Sequence, residues 1–289
     1  MFCVSANNFL LWKKEQLNKG GDIFSLSFLL EAIGGISPSE LNLINVNSEK
    51  NLQLKENLEF LESLWEKHII TSEPIQYLCK RTYWRNLDLK VSEKVLIPRP
   101  ETELIVDIVI KLFEKDLQGI FFAELGTGSG AISISLALEN PSWNGVATDI
   151  DKNAIDIASE NFINVSNQSN LRFFQGKWWD PLGDFKDKLD LVISNPPYIP
   201  KNTYKKLPKG VKNFEPKIAL LGGDDGLEHI REIIKYAPTY LKKNGWLVIE
   251  NHFDQGPKVK QLFIENGFKS VDVIQDFSGI GRFTIGRYK

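Results

Sequence analysis

Cysteine is nearly absent: Cys3 and Cys79 are the only two in 289 residues, which excludes a disulfide framework and a thiolate metal cluster. Histidine is scarce as well. His68, His229 and His252 have no metal-ligand spacing, so each reads as a surface or packing residue and no metal is expected. No apolar run approaches the roughly 18 residues of a membrane span, and the longest early one, Phe9-Leu10-Leu11-Trp12, is too short for a signal-peptide core. A cytoplasmic protein is the expectation. A large excess of charge is also missing, since the net charge is −2, and there is no global basic field to drive non-specific nucleic-acid binding. A local patch stays open: residues 201–217 carry six lysines against one glutamate, a solvated loop by composition or a surface touching RNA near a substrate.

What is present is chemistry at strand ends. The run Leu189-Asp190-Leu191-Val192-Ile193-Ser194 reads as a buried strand and ends in Asn195-Pro196-Pro197-Tyr198. This turn suits a planar nitrogen, either an amide or an exocyclic amine, whose delocalised lone pair is a poor nucleophile. The Asn195 side-chain oxygen can accept one N–H. Because proline fixes φ and lacks an N–H, the Pro196 carbonyl can be held as a second acceptor, and Tyr198 can cover the planar group. A Pro-Pro turn can equally just end a strand. Chance is a poor source of this string, however: at about 5% usage per position one exact tetrapeptide arises in such a chain with probability roughly 10⁻³.

Upstream, Ile120-Phe121-Phe122-Ala123-Glu124-Leu125 leads into Gly126-Thr127-Gly128-Ser129-Gly130 and then Ala131-Ile132-Ser133-Ile134, a strand, glycine turn and helix. Such a turn lets a ligand approach the backbone at a helix N-terminus. Gly126-x-Gly128-x-x-Ala131 also fits the dinucleotide fingerprint. About 20 residues on, a second strand ends in Asp149, whose carboxylate could accept ribose hydroxyls. That spacing alone does not separate a nicotinamide cofactor from S-adenosylmethionine. Asn195 to Tyr198 does, since a methyl donor and a nitrogen clamp make one coherent reaction.

Breakers at Gly20-Gly21-Asp22, Gly34-Gly35 and Asn47-Ser48 divide residues 1–72 into helices near 6–17, 26–33, 39–45 and 52–70. In the last, Leu54, Leu58, Leu61, Leu64 and Trp65 recur at helical spacing. These apolar faces can form the core of a small bundle or a partner-binding groove. Alternation from Tyr83 to Ile97 suggests a β-hairpin, and Ile97-Pro98-Arg99-Pro100 stiffens the join. Beyond a helix over 101–115, strands are expected at 120–125, 145–149, 171–175, 189–194, 246–250, 270–275 and 282–287. Helices are expected at 131–139, 152–163, 226–242 and 256–266. This rhythm implies an α/β protein with a doubly wound sheet, in which ligands bind beyond the carboxyl ends of the strands. The expected division is 1–73 a helical bundle, 74–97 a hairpin linker and 98–289 the catalytic domain.

Taken in order, Pro74-Ile75-Gln76-Tyr77, Val95 to Glu103, the glycine turn, Asn195 to Tyr198, Phe214-Glu215-Pro216, Ala219-Leu220, Gly222-Gly223-x-Asp225-Gly226-Leu227 and Asp276-x-x-Gly279-x-x-Arg282 resemble the HemK/PrmC family. That family methylates the glutamine amide of the Gly-Gly-Gln motif in class 1 peptide-chain release factors, and Arg99 to Glu103 is similar to its release-factor branch. The resemblance implies a Rossmann-like class I methyltransferase sheet and S-adenosyl-L-methionine as donor, with S-adenosyl-L-homocysteine as product. It implies that Gly126, Thr127, Gly128, Ser129 and Gly130 line the donor's methionine part, that Asp149 holds its ribose, and that Trp178 touches it, unless Trp178 only packs. Asn195, Pro196, Pro197 and Tyr198 would bind both donor and glutamine, with Asn195, Pro196 and Tyr198 catalytic. Arg99 and Glu101 would stand at the mouth, or form an interdomain ion pair. The helical N-terminal domain would recognise the substrate.

Four departures touch the donor pocket and the C-terminal loop: Lys80, Asn251 after Glu250, Lys177 before Trp178, and Gly281 before Arg282. Direct displacement of the methyl by the amide nitrogen needs no metal and no covalent intermediate. The expected protein is a monomer that acts on release factors in translation termination, without a membrane or a specific nucleic acid. Its rivals are an adenine-N6 methyltransferase, in which Tyr198 would stack on a flipped base, and a non-catalytic adaptor that binds release factors.

Overall fold

The computed structural model describes residues 1–44, 51–114 and 119–289. The chain divides into two compact units, one of Met1–Thr82 with Pro208–Phe214 and one of Tyr83–Leu207 with Glu215–Lys289.

The first unit begins with β1 (Phe2–Ser5), followed by α1 (Ala6–Lys19), α2 (Ile23–Ala32) and α3 (Pro38–Ile44), then β2 (Asn51–Leu54), α4 (Leu58–Thr71) and α5 (Ile75–Cys79). Side-chain caps set the helix starts: Ser5, Asp22 and Asn57 accept the N–H groups of Asn8, Ser25 and Phe60 at 3.3, 2.9 and 2.8 Å. Phe9, Leu26, Leu29, Leu30, Leu61 and Trp65 make its core, and the fully buried Trp65 indole donates to the Gln16 carbonyl at 3.0 Å. The expected helix from residue 52 is corrected here. Residues 51–54 instead pair antiparallel with 2–5, so Leu52 and Leu54 turn inward while Gln53 stays exposed. Asn57 then starts the helix afresh, and the spacing of Leu54 to Leu58 only imitates a helical face. The Asn47-Ser48 breaker lies outside the described residues, as do the last residue of the helix expected at 39–45 and that of the one over 101–115.

A hairpin of β3 (Arg81–Trp84) and β4 (Leu87–Lys90) follows. It ends before Ile97 because residues 92–95 form a turn, with Val95 N–H on the Ser92 carbonyl at 3.0 Å, and Pro98 and Pro100 cannot donate to a ladder. A 3₁₀ turn over Pro100–Glu103 precedes α6 (Leu104–Leu112).

The second unit then alternates. It runs β5 (Phe121–Leu125), α7 (Ala131–Glu139), β6 (Asn144–Asp149), α8 (Lys152–Val165), β7 (Leu171–Gln175) and β8 (Leu189–Ser194). Two short helices follow, α9 (Lys201–Tyr204) and α10 (Lys209–Phe214), the second packed in the first unit. The lysine-rich stretch is therefore not a plain loop. The chain closes with α11 (Glu228–Tyr240), β9 (Leu241–Glu250), α12 (Gly256–Glu265), β10 (Phe268–Gln275) and β11 (Gly281–Tyr288). β9 starts at Leu241 rather than 246, with a register shift opposite Leu189 to Leu191 that absorbs the early residues.

The seven strands lie in the order β10-β11-β9-β8-β5-β6-β7. Those from β9 to β7 are parallel and β11 runs antiparallel to both of its neighbours, β9 and β10, so this is a mixed α/β sheet. Both faces are covered, which explains the uninterrupted apolar runs. Leu191 and Ile193 pack with α6 and α7 on one face. Leu189 and Val192 pack with α11 and α12 on the other. From β5 the chain turns first to β6 and later back to β8, and this reversal makes a topological switch point between β5 and β8. Leu125 pairs with Ser194 on one side and Thr148 on the other. Gly126, Asp149 and Asn195 therefore emerge side by side at one level.

Candidate active site

A cavity opens at that level, with about 1020 Å³ of empty space including its open mouth, ample for a ligand the size of a nucleoside conjugate. Gly126, Thr127, Gly128, Ser129, Asp149, Trp178, Asn195 and Pro197 are on its wall. Gly130 sits just behind, as the left-handed N-cap of α7. Pro196, Tyr198, Arg99 and Glu101 are not among the wall residues.

The glycine turn is fixed by its own main chain. Gly126 and Thr127 N–H donate to the Thr148 carbonyl at 2.8 and 2.9 Å, and Gly130 N–H to the Thr127 carbonyl at 2.9 Å. Asp149 ties the turn to β6, since one carboxylate oxygen accepts Gly128 N–H at 2.9 Å and the other accepts Asp151 N–H at 3.0 Å. Each oxygen keeps a second lone pair for a ligand hydroxyl. Burial raises the Asp149 carboxyl, and those backbone donors oppose it. A Cβ on Gly128 would meet nothing within 4 Å, so the backbone there is bare toward the cavity. Behind it, Glu124 accepts Thr127 Oγ1–H at 2.6 Å and Ser133 N–H at 3.0 Å; burial pushes its carboxyl up to about 7. Trp178 faces the His229 ring at 5.5 Å, and Trp178 Nε1 and His229 Nδ1 are buried without hydrogen-bond partners among the described residues. A glycine-lined backbone, a carboxylate with spare lone pairs and an unpartnered indole N–H fit S-adenosylmethionine. His229 joins this wall although its sequence context suggested only surface or packing.

The clamp is built differently. Asn195 gives its amide Nδ2 to Thr102 Oγ1 at 3.3 Å, which leaves Oδ1 as the acceptor. Thr102 is only 3% exposed. The Tyr198 hydroxyl donates to Glu250 Oε1 at 3.0 Å, and its carbonyl accepts Gln255 Nε2–H at 3.0 Å. Burial, then the adjacent Glu250, hold the Tyr198 phenol well above its usual range. Burial likewise pushes Glu250 up to about 7 against the hydroxyls of Thr102 and Tyr198 and the charge of Arg282, with Glu101 adding to the rise.

Gly222 and Gly226 back this turn: an added Cβ would stand 2.7 Å from the Pro197 carbonyl oxygen and 2.3 Å from that of Tyr198. Ile199 also bridges Leu221 in parallel. The Gly222 to Leu227 motif is thus the support behind the clamp.

Arg99 is engaged inside the unit. Its Nη2 donates to both oxygens of Glu215 at 2.6 and 2.7 Å, with the Glu215 side chain 1% exposed. Burial raises Glu215 and Arg99 opposes the rise. This pair fastens the segment carrying Val95, Leu96 and Pro98 to the one carrying Pro216 and Ala219, and both segments line the cavity. Glu101 is exposed. Sequence reading missed Asn161, buried in α8, which accepts Lys90 N–H at 2.7 Å and donates to the Lys90 and Ser129 carbonyls at 3.0 and 2.9 Å. An asparagine inside an apolar helix face is the one sign it left.

The departures have local explanations. Asn251 fills its space with hydrogen bonds: Thr284 Oγ1–H reaches its Oδ1 at 2.8 Å, and its Nδ2 donates to the Gly281 carbonyl at 3.3 Å. Gly281 in turn has no room for a side chain, since a Cβ would sit 2.9 Å from Val273. The two unusual residues therefore touch. Lys177 pairs with Glu232 at 2.8 Å, and Lys80 is the left-handed C-cap of α5, a conformation that glycine adopts without strain.

Known proteins match this arrangement. The family description "Methyltransferase small domain" fits residues 104–207. A release factor glutamine methyltransferase of Prochlorococcus marinus is 38% identical over 280 residues, covering 96% of this chain and 96% of its own length. One from Synechocystis is 34% identical over 292 residues, covering 98% and 97%. A methyltransferase structure from Pyrococcus furiosus superposes with a TM-score of 0.51 at 22% identity, over 70% of this chain and 89% of that one, which shows a shared fold.

Proposed function

We infer the working parts of this enzyme from a plain premise: the chain belongs to the release factor glutamine methyltransferase family. It methylates the side-chain amide nitrogen (N5) of a glutamine in peptide-chain release factors, the Gly-Gly-Gln glutamine in our reading, with S-adenosyl-L-methionine as donor. Its role is in translation termination.

Bound donor supplies an electrophilic methyl group on a sulfonium. We assign Gly126 to Gly130, Asp149 and Trp178 to holding it, the carboxylate taking the ribose hydroxyls and the glycine turn taking the methionine end. Asn195 Oδ1 and the Pro196 carbonyl accept the two N–H groups of the glutamine amide. These contacts oppose delocalisation of its lone pair as nitrogen gains positive charge and aim that lone pair at the methyl. With the donor bound, attack would form the N–C bond as the C–S bond breaks, S-adenosylhomocysteine would depart as the leaving group, and the surplus proton on nitrogen would pass to solvent. The Tyr198 ring covers the amide and attracts the developing charge, worth roughly 0.5–2 kcal/mol. Arg99 acts through Glu215 by fixing the cavity's lip, and Glu101 at the exposed mouth meets the substrate protein. The observation that carries this reading is Asn195, its nitrogen committed to Thr102 and its oxygen left over, beside the glycine turn.

The N-terminal unit is the proposed recognition element for the release factor. The enzyme works as a cytoplasmic monomer without a metal, and no helix among the described residues is long and apolar enough to cross a membrane. An adenine substrate is not favoured. The test is tritiated methyl transfer from donor to a release factor: label is expected on the protein and lost when its Gly-Gly-Gln glutamine becomes alanine. Asn195→Ala is expected to abolish turnover, by about 10²-fold or more, while donor binding stays measurable. Near-normal turnover of that variant would sink the mechanism.

A further inference from the structure

Tyr198 is held at both ends by one short segment that no part of the reaction yet uses. At its backbone, Gln255 donates to its carbonyl at 3.0 Å; Gln255 is 4% exposed and is itself fixed by His252 N–H on its Oε1 at 3.0 Å. At its hydroxyl, Glu250 accepts at 3.0 Å. Glu250 ends β9, the strand paired beside β8, and is 2% exposed. Its second oxygen, Oε2, is buried and has no hydrogen-bond partner among the described residues. Burying a carboxylate with one oxygen unanswered is costly, and a stability role alone would be better served by an apolar side chain.

The neighbourhood shows what Glu250 is aimed at. The Thr102 hydroxyl stands beside its carboxyl and receives the Asn195 amide at 3.3 Å. Of the two side-chain members of the clamp, Tyr198 is bonded to this buried group directly. The surrounding charges are Arg282 on β11, bonded to Asp276 at 2.5 Å, and the exposed Glu101.

We propose that Glu250 is a positioning residue for methyl transfer, fixing the Tyr198 ring through its hydroxyl so that the ring keeps one orientation. The proposal rests on the reading of Asn195 to Tyr198 as the amide clamp. An acceptor oxygen is all that Tyr198 requires, so glutamine suffices at 250 and alanine does not. Loss of the contact frees the ring and costs turnover, not donor affinity, because neither Glu250 nor Tyr198 is on the cavity wall.

The test measures kcat, KM for the release factor and donor Kd in Glu250→Ala, Glu250→Gln, Tyr198→Phe and the Glu250→Ala/Tyr198→Phe double variant. Expected are losses in kcat of about 10- to 100-fold in Glu250→Ala and Tyr198→Phe, the scale of one lost hydrogen bond to a charged group. Donor Kd should stay within about 3-fold, Glu250→Gln should recover most of kcat, and the double variant should be no slower than the slower single one. The proposal is overturned if Tyr198→Phe turns over within about 2-fold of the parent, if the two losses multiply, or if glutamine is as poor as alanine. Should Glu250→Ala not fold, Tyr198→Phe and Glu250→Gln, alone and combined, decide by the same criteria. Asn195→Ala is run alongside. Its collapse with a normal Tyr198→Phe removes this role and keeps the function, whereas its normal turnover removes the function itself.

Discussion

Two glycine clusters border the candidate site, one on the cavity wall and one behind the Asn195–Tyr198 turn, and they need glycine for different reasons. In the turn after β5, Gly128 has φ +55 and open space where its Cβ would be, so glycine there keeps the main chain bare for a ligand. In the segment behind the clamp, Gly226 has φ +79, and a Cβ would be 2.3 Å from the Tyr198 carbonyl oxygen and 2.5 Å from Gln255 Nε2. Here glycine lets two stretches of protein touch. One residue type marks a proposed binding surface in the first case and a buttress in the second, and substitution should separate them.

The largest effect belongs to the buttress. Gly226→Ala forces a backbone carbonyl to move and strains a positive φ, so it should cost on the order of 3 kcal/mol in stability and remove turnover together with the clamp's geometry. A thermal melt and a methyl-transfer assay check both parts. Gly128→Ala should cost only about 1 kcal/mol, from φ alone, yet weaken donor affinity at least 10-fold by placing a methyl group on the wall proposed to hold the donor. Calorimetry with S-adenosylhomocysteine reads that loss, and equal damage to stability and affinity in both variants would break the distinction.

Much of this arrangement is legible in the sequence. The glycine turn, Asp149 and Asn195 were placed at strand ends because long, doubly buried strands leave unbroken apolar runs punctuated by glycine and proline. The Glu250 contact to Tyr198 was not legible, since it joins residues 52 apart in sequence and a strand-end glutamate has no local pattern. The β1 and β2 pair was missed for a similar reason. Each strand has four residues, too few to establish a period of two, and Leu54 fell on a helical register with Leu58. Short elements whose partner lies far along the chain carry their information in the partner.

The two places also differ in how they hold a buried carboxylate, although burial brings both to about 7. One oxygen of Glu124 takes two donors, whereas Glu250 takes one from Tyr198 and leaves a buried oxygen bare. The folded state therefore binds more protons than the unfolded one between the ordinary 4.5 and about 7, and stability falls as pH rises through that window. Glu250→Gln removes the titration. Its stability relative to the parent should improve from pH 5 to pH 8 by on the order of 2–3 kcal/mol, measured by denaturant unfolding at the two values. A difference independent of pH would show that Glu250 does not titrate in this range.

The smallest expected effect supplies the control for φ. Lys80 has φ 56, nearly that of Gly128, but it is an exposed C-cap in the first unit and is not on the wall of the cavity that Gly128 lines. Its side chain bears the same left-handed strain with no ligand to obstruct. Lys80→Gly should relieve that strain and raise stability by about 0.5–1 kcal/mol, the larger backbone entropy of glycine in the unfolded chain offsetting part of the gain. Donor affinity and turnover should not move. If Lys80→Gly and Gly128→Ala change stability by similar amounts in opposite directions, positive φ accounts for the stability cost at Gly128, and what remains in its donor affinity is the bare backbone. A shift in donor affinity with Lys80→Gly would show instead that strain in the first unit is felt at the donor pocket, and the two causes could no longer be told apart by φ.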